Sequence, residues 1–184
     1  MIGPAGTHLL ADIAEASGTT AASGRAVVPT LGDRADLLEL IGRYADIADL
    51  KEFTELPGLV LADPVTVDFE SVAGIPPMTV PLGDYVEALR GAFAPFIATH
   101  HTITGHVIDI DGDRATVHAH VRAEHWVPEE LADGGPDRWL VVGFYDNEAV
   151  RTADGWRLSH VRLTASHQEN PHLAGAALAA GQDG

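Results

Sequence analysis

Cysteine is absent from the 184-residue chain, which removes disulfides, thiolate nucleophiles and thiolate-bound metals from consideration. Lysine occurs once, as Lys51. Schiff-base chemistry therefore has a single candidate, and the charged neighbours of that residue would not desolvate its amine. Cationic side chains are scarce altogether: Lys+Arg number 11 against Asp+Glu 27, a formal net charge of −16. So acidic a surface repels polyanions, and neither nucleic acid nor an anionic membrane is expected as a partner. No apolar run reaches the roughly 18 residues that a membrane-spanning helix needs. The opening MIGPAGTHLLADIAEASG lacks the basic start and apolar stretch of a secretory signal. The expected location is the cytoplasm.

What is present suffices for a core: 46% of residues are hydrophobic, in a length suited to one domain with a tail. Residues 1–32 read as an extension, with a short amphipathic helix over 8–16 and a Gly/Ser/Thr/Ala linker over 17–24. The domain itself is expected over 33–167. Asp33 is placed as a helix cap, with Asp36 in the first turn favoured by the helix dipole. Leu37, Ile41, Tyr44 and Ala48 then recur on one helical face up to about Asp49. Residues 51–61 read as a shorter helical piece broken by Pro57-Gly58. Residues 65–69 alternate as a strand, and 74–80, with two prolines, read as a loop. Gly83-Asp84 opens a helix with Tyr85, Leu89, Ala92 and Phe96 on one side, ended at Pro95. Strands follow over 99–110, 115–126, 139–151 and 156–165, separated by two tight turns and a polar loop over 128–137. Helices first and antiparallel strands after predict an α+β fold. Residues 168–184 form a Pro/Ala/Gly tail, in which 173–180 reads either as a short helix over a cavity mouth or as a disordered end.

Three stretches in order, RADLLELIGRYADIADLKEF from Arg34, THHTITGHVIDIDGDRATVHAHVRAEHW from Thr99 and GFYDNEAVRTADGWRLSHVRL from Gly143, resemble the SnoaL-like branch of the nuclear-transport-factor-2-like superfamily. Within it they are most similar to the dehydratases and dehydrochlorinases, such as scytalone dehydratase, bile-acid 7α-dehydratase and hexachlorocyclohexane dehydrochlorinase. The resemblance implies a cone: a curved mixed sheet wrapped by N-terminal helices around a deep apolar pocket, a cystatin-like α+β barrel. It leaves residues 1–32 unexplained. The superfamily holds both enzymes and non-catalytic binders, so fold alone does not assign function.

Strand alternation sorts the histidines. His101 shares a face with Thr99, Ile103, Gly105 and Val107, and His100 with Thr102, Thr104 and His106. The first set is the more apolar and is expected to face the pocket. The resemblance agrees, since its Thr-x-His pattern places a histidine in the active site. On the next strand Ala115, Val117, Ala119, Val121, Ala123 and His125 share one face, so His125 ends an apolar row. A second pocket histidine there resembles the scytalone dehydratase arrangement. A lone histidine on such a face can equally be a satisfied core residue. His118 and His120 fall on the polar face.

A histidine base works better with a carboxylate that fixes its tautomer. The resemblance carries that role to Asp49, at the helix end, where the rival reading is a solvated acid. Tyr44 sits on the apolar face of its helix, either as a hydrogen-bond donor to substrate or as packing. Tyr145 and Asn147, sharing a face with Gly143, are candidate pocket linings together with Thr99 and Val121. Asp68 is a reserve base, because ketosteroid isomerases of this fold keep an aspartate near that place.

The expectation is a cofactor-free lyase of dehydratase type, or a cyclase, acting on a small, largely apolar carbonyl or hydroxyl compound. His101, Asp49, Tyr44 and His125 would be its catalytic groups. The alternatives are a ketosteroid-isomerase-like isomerase or polyketide aldol cyclase, and a non-catalytic small-molecule binder. A further rival is a metal site built on His118 and His120 with His100 or His106, for which Glu124 is the one acidic ligand at hand. A homo-oligomer, dimer or trimer, is expected because convex sheet faces in this superfamily commonly pair.

Overall fold

Thr30 caps the first helix. Its hydroxyl accepts a hydrogen bond from the Asp33 N–H, while the Asp33 carboxylate accepts from the Thr30 N–H. This reciprocal box starts α1 (Leu31–Asp49) and corrects the expected cap, since Asp33 is the third helical residue. The computed structural model describes residues 29–182, and the helix and linker expected over 8–16 and 17–24 lie outside them. Along α1, Leu37, Leu40, Ile41, Tyr44, Ile47 and Ala48 are buried at amphipathic spacing. Each large aliphatic side chain so buried contributes about 1.5–3 kcal/mol.

The expected helix over 51–61 shortens to α2 (Leu56–Val60). Pro57 lies in its first turn, where a missing N–H costs nothing, so the proline starts a helix rather than breaking one. β1 (Leu61–Phe69) follows, then the single turn α3 (Glu70–Ala73) and β2 (Ile75–Val80). The loop expected over 74–80 is therefore a strand. β2 pairs with β1, and Pro76 and Pro77 fall where the register between these two strands shifts, between the Val67–Met78 and Phe69–Ile75 pairs, so neither is needed as a ladder donor. α4 (Leu82–Phe93) ends two residues before Pro95, and Phe96 is buried just beyond it.

The rest is a meander: β3 (Ala98–Asp111), β4 (Arg114–Trp126), the single turn α5 (Glu129–Ala132), β5 (Arg138–Thr152) and β6 (Gly155–Glu169). α6 (His172–Gln182) closes the described chain, so the tail expected over 173–180 is a helix. The strand order is β2-β1-β6-β5-β4-β3, with β1 parallel to β6 and every other pair antiparallel. Among the described residues the curved sheet is mixed as expected but open, with β2 and β3 as its edges and no barrel closed.

On β4 the predicted inner row, Ala115 to His125 at alternate positions, is buried throughout. On β3 the alternation breaks. Thr104 pairs with His120 but Val107 pairs with His118, so three steps on β3 match two on β4. Gly105 makes this bulge with φ +66, a conformation that glycine adopts without strain. The faces exchange there. Val107, grouped by strict alternation with His101, is 64% exposed, and Ile108 is buried in its place. His106, expected to be solvated, becomes half-buried for the same reason, and burial lowers its pKa below the ordinary value.

At the end of the sheet under the start of α1, Arg151 Nη1 donates to Asp33 Oδ1 at 2.6 Å, and Trp156 Nε1 donates to the same oxygen at 3.3 Å. The guanidinium lies 4.3 Å from the Trp156 ring centroid. The Arg151 contact, with the Thr30 hydrogen bonds, holds the Asp33 carboxyl far below the usual carboxylate range. This network locks the start of α1 onto β5 and β6 and leaves its C-terminal half to face a cavity.

Candidate active site

A cavity of about 400 Å³ opens between the inner face of the sheet and α1, α4 and α6. All six strands contribute to its wall, from Val67, Met78, His101, Ala123, Tyr145 and Leu163 among others. Phe93, Phe96 and Trp139 supply flat aromatic surface, and Ala174 and Leu178 of α6 cover one side. Among the described residues the lining contains no Asp, Glu, Lys or Arg. Its polar groups are the imidazoles of His101 and His125, the hydroxyls of Tyr44, Tyr85 and Tyr145, and the Trp139 indole, whose N–H donates to Gln168 at 3.0 Å.

Asp49, the last residue of α1, reaches β3 and accepts three hydrogen bonds there. The Thr99 hydroxyl and the His101 ring, through Nδ1, meet Oδ1 at 2.8 and 2.7 Å, and the His101 backbone N–H meets Oδ2 at 2.7 Å. Burial raises the carboxyl pKa, but the bonds and charge of His101 with the Thr99 hydroxyl outweigh it, and Asp49 is held below the usual carboxylate value. It is therefore ionised at neutral pH. Because Nδ1–H donates to a carboxylate, the neutral His101 ring carries its lone pair on Nε2. His100, on the other face, is 66% exposed, with Nδ1 3.9 Å from Asp49 Oδ2.

His125 sits beside His101, ring centroids 5.3 Å apart and edge to face. It stacks on Trp139 at 4.4 Å and packs against Phe96 at 5.2 Å. Desolvation, reinforced by the positive charge that His101 can carry, lowers its pKa to about 3. At neutral pH it is therefore an uncharged ring. Its Nδ1 is buried and has no hydrogen-bond partner among the described residues.

Tyr44 reaches the cavity from α1, and its hydroxyl lies 3.1 Å from that of Tyr85 on α4. Tyr145 of β5 lines the same wall, edge-on to Tyr44 with centroids 5.9 Å apart. Tyr85 was legible only as a member of an apolar helix face. The same signal had marked Tyr44, and it is the feature that could have singled out both.

Other candidates lie elsewhere. Thr99 is behind the wall, holding Asp49, and Val121 is buried but does not line the cavity. Asn147 faces away, its Oδ1 accepting from the Arg162 N–H at 3.2 Å. Asp68 accepts from Arg162 Nε at 2.7 Å outside the cavity, and that bond holds its carboxyl below the usual value. His118 pairs instead with Asp146 at 2.7 Å, and His120 packs on Phe144. Among the described residues no three His, Asp or Glu side chains converge as a metal ion would require.

Solved structures share this architecture. Kfla4162 from Kribbella flavida is 74% identical, with a TM-score of 0.77 over 78% of this chain and 97% of that one. A candidate scytalone dehydratase from Novosphingobium aromaticivorans is 19% identical, TM-score 0.64, over 76% and 88% of the two chains. A type 2 hexachlorocyclohexane dehydrochlorinase is 18% identical, TM-score 0.62, over 76% and 88%. The SnoaL-like domain model matches residues 29–162. The chain belongs to the SnoaL-like domain family.

Proposed function

We propose that the cavity is the active site of a cofactor-free lyase of dehydratase type. The observation that carries the reading is the 2.7 Å contact between Asp49 and His101 Nδ1 on the wall of an otherwise apolar cavity. The aspartate orients the ring and compensates the charge that it acquires. His101 Nε2 removes a proton from the carbon beside a carbonyl. The C–H electron pair becomes the enolate double bond, and the carbonyl pair moves to oxygen, where Tyr44 donates a hydrogen bond. The enolate then re-forms the carbonyl and expels a β-hydroxyl, which takes the proton from Nε2 and leaves as water. A positioned base of this kind contributes about 10²–10⁴-fold, and the dry wall strengthens each hydrogen bond through its low dielectric. The names of the dehydratase and dehydrochlorinase neighbours support elimination over isomerisation, which shares the first step.

The test has two readouts: exchange of α-protons of bicyclic ketones in D2O, followed by NMR, and dehydration of β-hydroxy ketones, followed by enone absorbance. His101→Ala and Asp49→Asn are each expected to lower both by at least about 10²-fold in protein whose circular dichroism still shows the native fold. Near-normal rates in either variant would end the assignment of this pair.

A further inference from the structure

A second hollow, of about 300 Å³, lies across β3 to β6 on the outer face of the sheet and shares no lining residue with the cavity. We propose that it binds an uncharged polyhydroxylated compound, a sugar or a cyclic polyol, whose hydroxyls accept hydrogen bonds at its floor and donate them at its rim.

The floor is a break in the ladder. β5 and β6 pair at Tyr145–Leu163 and again at Glu148–His160, but Asp146 and Asn147 between them have no ladder partner on β6. Asn147 fills the break with its side chain, Oδ1 accepting from the Arg162 N–H at 3.2 Å. The residue is 1% exposed, and its Nδ2, with two protons to give, has no hydrogen-bond partner among the described residues. His160 Nε2 is a second buried nitrogen of this wall without such a partner. Arg162 donates from Nε to Asp68 at 2.7 Å, and its two Nη groups make no hydrogen bond among the described residues. Buried polar nitrogens are costly to leave unpaired, so this floor calls for acceptors from outside the chain.

The rim has the opposite chemistry. Asp109, Asp146 and Glu148 stand there, all three exposed. Asp146 meets His118 Nδ1 through Oδ1 at 2.7 Å and keeps its other oxygen for a donor. The Gly105 bulge turns Val107 to this side, where it is 64% exposed and flanks the hollow with an apolar surface. Three carboxylates against one guanidinium repel a free anion. Nitrogen donors at the floor have nothing to offer a cation. A hydroxyl answers both layers, since it accepts through its lone pairs and donates through its proton. The C–H face of a sugar ring suits Val107. No residue of this hollow enters the proposed elimination, so the two assignments stand or fall separately.

The test is a titration of the nitrogen-15-labelled full chain with D-glucose, D-mannose and myo-inositol, followed by amide NMR. Sodium phosphate, glycine and choline chloride serve as anionic, zwitterionic and cationic probes. At least one polyol should shift the Asn147 side-chain amide and the backbone signals of His160 and Arg162 saturably, in the millimolar range. Asp109→Ala and Glu148→Ala, both at exposed positions, should each weaken that polyol by about 3- to 10-fold and leave the rest of the spectrum in place. His101→Ala should bind it as the wild-type chain does. The proposal is overturned if none of the three polyols gives saturable shifts, whether or not a charged probe does. It is overturned equally if both rim variants bind the polyol unchanged. Signals that move with protein concentration and not with polyol would make this face an interface between copies of the chain, and would also end it.

Discussion

At the scale of single residues, His125 makes an acid-sensitive element of the fold. The unfolded chain protonates this ring near pH 6.5, whereas the folded chain does so only at about 3. Between those values the unfolded state holds more protons, so stability falls as the pH drops from 6.5 toward 3. The loss is of the order of a few kcal/mol at most. His125→Phe keeps the aromatic stack and removes the titration. Melting curves between pH 7 and 4 should show the variant losing less stability than the wild-type protein, and parallel losses would refute neutral burial. The sequence made His125 and His101 legible because the strands around them alternate cleanly. It could not disclose that Arg162 claims Asp68 across 94 residues, or that Asn147 bonds the backbone of the same residue, since neither partner appears in a local pattern.

At the scale of elements, glycine separates tolerance from collapse. A Cβ on Gly143 would lie 2.0 Å from the Thr164 carbonyl oxygen, where β5 and β6 shift register. Backbone cannot yield that far, so Gly143→Ala should give little folded protein. Gly91, inside α4, has no atom within 4 Å of such a Cβ. Gly91→Ala should raise stability by about 0.5–1 kcal/mol in denaturant titrations, through helix propensity and reduced unfolded-state entropy. The elements with regular periodicity, α1, α4 and the four strands of the meander, were readable in advance. β2 was not, because two prolines conceal an edge strand, and the bulge in β3 was not, because Gly105 reads as an ordinary member of an alternating row.

At the scale of the whole molecule, the cavity depends on a helix that the tail's composition left undecided. Leu173 and Ala177 of α6 are fully buried, while Ala174 and Leu178 complete the wall. Truncation after Asn170 should open the cavity, raise the fluorescence of an apolar-surface dye and lower the melting temperature. An unchanged dye signal would mean that α6 contributes no cover. The order of the strands carries a further consequence. β2 and β1 are neighbours in sequence, as are β3 through β6, but the two groups meet only where β1 runs parallel to β6, with Val67 beside Val161. The early hairpin therefore has no mate until β6 has been synthesised, and the hollow is closed by the strand pairing that spans the greatest distance in sequence.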